Sequence, residues 1–147
     1  MLDQIKKLRE QTDVSVMQCK KALEEAGGDF DKALELLREE GAKIAEKKSE
    51  REMKAGIIDA YIHSNKQIGA MVEVLCETDF VARNKDFQEF VHNIAMHIAA
   101  MNPPSKEELL EQAYIKNPGI TIADYIKEAV QKFGENINIS RFEVFNL

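Results

Sequence analysis

The chain of 147 residues has only two cysteines and three prolines, and it has no apolar run approaching the ~20 residues that a membrane-crossing helix requires. Asp3, Lys6, Lys7 and Arg9 leave the amino terminus without the apolar core of a secretion signal, so the expected compartment is the cytoplasm and no membrane contact is expected. Cys19 and Cys76 lie in separate segments that each read as regular structure. That suits small buried hydrophobes better than a disulfide or a metal pair. Positive charge is also scarce. Twenty Lys plus Arg, scattered along the chain, face 26 Asp plus Glu for a net charge of -6. A phosphate-backbone binder wants a basic face, so a protein partner is expected rather than direct nucleic acid.

The sequence is equally poor in catalytic patterns. His92 and His97 stand five apart, where helical metal ligands would stand three or four apart, and His63 lies in another segment. His97 falls a heptad from Phe90 and reads as a histidine bordering the core. No glycine-rich phosphate loop with a following Gly-Lys-Ser/Thr occurs, so no cofactor, metal site or bound nucleotide is expected. No nucleophile and base stand at a recognisable spacing, and the chain is not expected to be an enzyme.

What remains is the balance of a globular protein, 44% hydrophobic and 31% charged. Three short helices are expected first, over Leu2 to Gln11, Ser15 to Ala26 and Phe30 to Glu40. Ser15 and Asp29 are the expected caps, Gly27-Gly28 the left-handed stop of the second helix and Gly41 the stop of the third. Ile5, Leu8, Val16, Cys19, Leu23, Phe30, Ala33, Leu34 and Leu37 recur at helical spacing and form one candidate miniature core. A charged helical linker over 42–54 follows, and then a core domain over 55–147.

That core opens with Ile57 to His63, a turn at Ser64 to Gln67 and the strand Ile68 to Cys76, an antiparallel hairpin. Phe87, Phe90, Val91, Ile94, Ile98 and Met101 make a wide helical stripe that Asn102-Pro103-Pro104 stops. A short helix from Lys106 to Tyr114 and a turn at Asn117-Pro118-Gly119 come next. Thr121 with Asp124 has the spacing of a capping box, Gly134 closes the helix it opens, and Ile137 to Phe145 reads as a third strand docked on the hairpin. The fold class is α+β: a three-helix amino-terminal domain plus a small three-stranded antiparallel sheet packed with helices.

One segment stands out for function. After Cys76, a strand pattern gives way to Glu77-Thr78-Asp79-Phe80-Val81, an acid beside an aromatic at a loop tip. Asp79-Phe80 could simply cap a helix and fold its ring into the chain's own core, or it could present that ring to a partner.

Residues Glu77 to Asn84 closely resemble the signature of elongation factor Ts, the bacterial and organellar nucleotide exchange factor for elongation factor Tu. Leu8 to Thr12 with Met17 to Leu23, and Gly134 to Ile139 with Arg141-Phe142, resemble the family's amino-terminal domain and carboxy-terminal signature. The resemblance implies a fold for 1–41 similar to ubiquitin-associated three-helix domains. It also implies a role for Thr78, Asp79, Phe80 and Val81: an aromatic pushed between helices of the partner GTPase beside its magnesium ion. Val16, Met17 and Lys20 would then meet an outer helix of that GTPase, and Phe133 and Gly134 match the start of the carboxy-terminal signature. Short family members work as symmetric homodimers, so a homodimer is expected here too. A binding module whose three-helix domain docks a partner without driving exchange is the alternative.

Overall fold

The computed structural model describes residues 1–147. Helices α1 (Leu2–Thr12), α2 (Val16–Glu25) and α3 (Phe30–Lys48) come first. Asp13 ends α1 in the left-handed conformation, Ser15 accepts from the Gln18 N–H to start α2, and Asp29 accepts from the Lys32 N–H to start α3. Ile5, Leu8, Val14, Cys19, Ala22, Leu23, Ala33 and Leu37 form their core, with Phe30 and Leu34 packed at its edge. Val16, expected in this core, is half exposed instead. It opens α2, where the stripe Cys19, Ala22, Leu23 has run out and Val14 of the preceding loop fills the space.

Gly41, expected to stop the third helix, does not do so. It lies buried inside α3, which continues to Lys48. A Cβ at Gly41 would approach Gln131 Oε1 to 2.5 Å. The glycine lies where α3 packs on a later helix, and as a helix-interior residue it costs about 1 kcal/mol in propensity relative to alanine.

Strands β1 (Ala55–Ile62) and β2 (Ile68–Cys76) form the expected hairpin, and β5 (Asn138–Asn146) joins β2 on its other side, all antiparallel in the order β1-β2-β5. Ser140 is the extra residue of a bulge between the pairs Glu73↔Arg141 and Val74↔Ile139. That one-residue slip turns Ile139 onto the same face as Val72 and Val74. This face is covered by α5 (Lys85–Met101), whose Phe87, Phe90, Val91, Ile94 and Ile98 are buried in the larger core. On the opposite face Ile58, Ile62, Met71 and Phe145 are all exposed and no helix covers them.

The expected helix from Lys106 to Tyr114 is shorter than its spacing suggested. After α6 (Lys106–Glu111) the chain makes a small hairpin of β3 (Ala113–Tyr114) and β4 (Asn117–Thr121), so the segment read as a turn at Asn117 to Gly119 is a strand. Tertiary contacts decide this. Tyr114 stacks on Tyr125 with ring centroids 4.2 Å apart, and His97, fully buried, accepts from the Ile115 N–H at Nδ1 and donates from Nε2 to Gln112 Oε1. Burial holds the His97 pKa below its ordinary value, with the Gln112 bond opposing. A folded pKa below the unfolded one means that the unfolded chain binds the proton more readily. The neutral ring's contribution to stability is therefore present in full above pH ~6.5 and lost as pH falls toward the folded value. Urea melts between pH ~7.5 and ~5.5 should show this loss, and His97→Gln should flatten that part of the profile.

Helix α7 (Ile122–Phe133) opens with the anticipated capping box: Thr121 Oγ1 accepts from the Asp124 N–H at 3.1 Å and Asp124 accepts from the Thr121 N–H at 3.0 Å. It ends at Gly134, with φ 74°. Its Ile126, Ala129 and Val130 belong to the larger core, and Gln131 faces α3. Lys132 pairs with Asp13 at 2.8 Å and with Asp86 at 3.5 Å, fastening the end of α1 to the start of α5. No helix is long and apolar enough to cross a membrane.

Candidate functional site

Between β2 and α5 the chain makes a single helical turn, α4 (Asp79–Ala82). One turn fixes several backbone dihedrals for very few internal hydrogen bonds, so it depends on its caps. Thr78 supplies the first, accepting from the Val81 N–H at 3.3 Å, and Asn84 caps the next helix by accepting from the Asp86 N–H at 2.8 Å. Val81 and Ala82 root the turn in the larger core. Thr78 and Asp79 lie outside, and the Phe80 ring is 84% exposed. The ring does not fold into the chain's own core.

The loop after α7 holds this tip from beneath. Glu135 Oε1 accepts from the N–H groups of Glu77 and Thr78, both at 3.0 Å, and Oε2 accepts from the Thr78 hydroxyl at 2.6 Å. In return Glu77 Oε2 accepts from the Asn136 N–H at 2.6 Å and lies 3.7 Å from Arg51 Nη1. The Asn136 side-chain amide donates to the carbonyls of Ser49 and Arg51, at 3.2 and 2.8 Å. Lys48 Nζ donates to the Gly134 carbonyl at 2.9 Å. Cys76 Sγ donates to the Thr78 carbonyl at 3.3 Å. Burial and then the nearby Glu135 carboxylate push the Cys76 thiol up to about 11, so it stays protonated at neutral pH.

The sequence-predicted residues thus fall into separate places. Thr78, Asp79 and Phe80 share the tip, whereas Val81 is its buried root. Val16, Met17 and Lys20 stand exposed on α2, with Met17 80% exposed and Lys20 3.9 Å from Glu24. Phe133 is half-buried and meets Phe87 edge to face at 5.6 Å, and the Gly134 carbonyl takes the Lys48 bond. Glu77, Glu135 and Asn136 lie inside the family-like motifs, but their sequence pattern alone assigns them no role. The only available signal was that two acids and an amide flank the tip and the last helix stop. No group of three or more His, Cys, Asp or Glu is arranged to hold a metal ion.

A tip of this kind can insert an aromatic ring into a protein partner; it has no group placed for covalent chemistry. The sequence model of the family described as Elongation factor TS matches residues 77–147. Elongation factor Ts of Desulfosudis oleivorans is 40% identical over 188 positions, covering 97% of this chain and 95% of that protein. Elongation factor Ts of Thermodesulfovibrio yellowstonii is 42% identical, covering 97% and 94%. Elongation factor Ts of Aquifex aeolicus is 45% identical over 146 positions, covering 96% of this chain and 50% of the relative. The alignment spans 188 positions but covers only 97% of the 147 residues here, so about forty-five positions of the Desulfosudis protein have no counterpart in this chain.

Proposed function

This chain belongs to the elongation factor Ts family, and from that premise we propose that it accelerates GDP release from elongation factor Tu during translation elongation by inserting Phe80 beside the GTPase's bound magnesium. Such a factor is not an enzyme; it alters which nucleotide state of its partner is favoured. It must bind the nucleotide-free GTPase more tightly than the nucleotide complex, and by linkage factor and nucleotide weaken each other equally. Thr78 and Asp79 flank the inserted ring, and Val81 transmits its position to the core. The observation that carries this reading is an aromatic ring left 84% exposed on a turn whose every other apolar residue is buried. Val16, Met17 and Lys20 would hold an outer helix of the GTPase, while Phe133 and Gly134 support the tip from behind.

The test is release of labelled GDP from elongation factor Tu with the protein added, at several magnesium concentrations. Acceleration that is greatest where magnesium is plentiful, and that shrinks when magnesium is withdrawn beforehand, supports the proposed step. No acceleration and no binding would end the reading. The positions missing relative to the longer relatives favour one second reading, a module that binds without driving exchange, and tight binding without acceleration is its signature.

We assign the functional units as 1–41 and 55–147, with 42–54 joining them as the outer turns of α3 and an irregular segment. A role in translation elongation is consistent with the expected cytoplasmic location, and the net charge of -6 favours a protein partner over direct nucleic acid. A second copy of the chain is the proposed cover for the open sheet face. Ile58, Ile62, Met71 and Phe145 lie there with the Glu73 and Arg141 pair at 3.5 Å, an apolar patch with a polar edge. Sedimentation at micromolar concentration should give a dimer, and Met71→Glu should shift it toward monomer without lowering helix content. A monomeric wild type would remove the proposal.

A further inference from the structure

We propose that Glu135 is a positioning residue for the exchange step: its carboxylate sets the direction in which Phe80 leaves the surface. This inference rests on the reading of Phe80 as the inserted ring. In the free chain Phe80 is 84% exposed, so its own packing does little to orient it. Its direction is set by the backbone of α4, and α4 is one turn whose start is determined at Glu77 and Thr78. Both of their N–H groups, and the Thr78 hydroxyl, end on the Glu135 carboxylate. The Thr78 oxygen in turn accepts from the Val81 N–H, so an unbroken relay runs from Glu135 through Thr78 into the turn beneath the ring.

An ionised carboxylate suits this position because it offers only acceptors, and all three groups facing it are donors. The arrangement is reciprocal. Glu77 accepts from the Asn136 N–H while Glu135 accepts from the Glu77 N–H, so two segments 58 residues apart close on each other through two carboxylates. The tip and the carboxy-terminal signature are therefore two halves of one device. Without the carboxylate the tip loses three charge-assisted bonds, samples other directions, and must be ordered at the moment of insertion.

The chain has no tryptophan, which makes the test direct. Phe80→Trp places a single indole at the tip, and its anisotropy reports local mobility. In that background Glu135→Ala should lower anisotropy with the far-ultraviolet spectrum unchanged. Glu135→Gln keeps an acceptor oxygen for the two backbone N–H groups and should restore most of the signal. In the otherwise native chain, Glu135→Ala should cut the maximal rate of GDP release from elongation factor Tu about tenfold. The factor concentration giving half the effect should change less than about threefold, because the other contacts persist. If Glu135→Ala does not fold, Glu135→Gln carries both readouts and should show a smaller loss in each. Unchanged anisotropy or an unchanged maximal rate overturns the inference. A loss of rate that merely tracks the folded fraction overturns it too. Wild type run alongside separates the two readings: if it fails to accelerate release, the proposed function has failed rather than the role of Glu135.

Discussion

Phe80→Ala is expected to leave the melting temperature of the protein within about 1 °C of wild type while removing most of its acceleration of GDP release. The ring is 84% exposed, so the free chain has almost no packing to lose. In the proposed complex the same ring goes from water into a protein interior, a change of about 1.5 to 3 kcal/mol for a Phe side chain. That corresponds to roughly a tenfold to 150-fold fall in rate if the contact is made only during exchange. Weakening GDP about ten-thousandfold would need roughly 5.5 kcal/mol of coupling, so the variant should retain a residual effect. On the proposed mechanism, displacement of the magnesium and the remaining contacts supply the balance. Stopped-flow release of labelled GDP beside a thermal melt gives both numbers, and full activity in the variant would remove Phe80 from the mechanism.

Seven residues further on, the same substitution should have the opposite profile. Phe87 is fully buried on α5, 5.6 Å from Phe133 and 6.0 Å from Phe90 between ring centroids. Phe87→Ala removes that ring from the middle of the larger core, at a cost of about 3 to 5 kcal/mol including the cavity left behind. Domains are stable by only about 5 to 15 kcal/mol, so the variant should melt roughly 10 to 15 °C lower. Urea denaturation should show a fall in midpoint with little change in slope. The fraction that remains folded should still exchange nucleotide at a rate set by Phe80. A melt unchanged by Phe87→Ala would contradict the packing described.

The two phenylalanines also mark how far the sequence could be read. Periodicity puts Phe87 in a stripe with Phe90, Val91, Ile94, Ile98 and Met101, and all are buried except Met101, which is exposed in the last turn of α5. Nothing in periodicity separates Phe80 from a core residue; only the contrast between strand pattern, acid and helix start suggested a tip. Caps were legible because Ser15, Asp29, Thr121 and Asp124 act on donors within three residues, and Gly134 acts on its own backbone. The features that differ from the sequence pattern share a cause. Gly41 looked like a stop because its partner, Gln131, is 90 residues away. The β3–β4 hairpin looked like helix and turn because the contacts that shape it come from His97 on α5 and Tyr125 on α7. Val16 had the right spacing for the small core, yet Val14 outside the helix took the place. Glu135 was invisible as a functional group for the same reason: a carboxylate serving backbone donors across the fold leaves no local pattern.

The extension of α3 past Gly41 has a consequence for the speed of recognition. Nineteen helical residues span about 28 Å. The helix begins in the small core beside α2, rests at mid-length on Gln131 of α7, and is tied at its end by Lys48 to Gly134, just beneath the tip. If both surfaces meet the partner as proposed, it works as a caliper, holding the α2 surface and the Phe80 ring at one separation. Once one jaw has met a partner, the other need not search through solution. Its local concentration is set by geometry instead of by the amount of protein present. A hinge at Gly41, had the glycine been the break its identity suggests, would have dispersed that advantage over a wide arc.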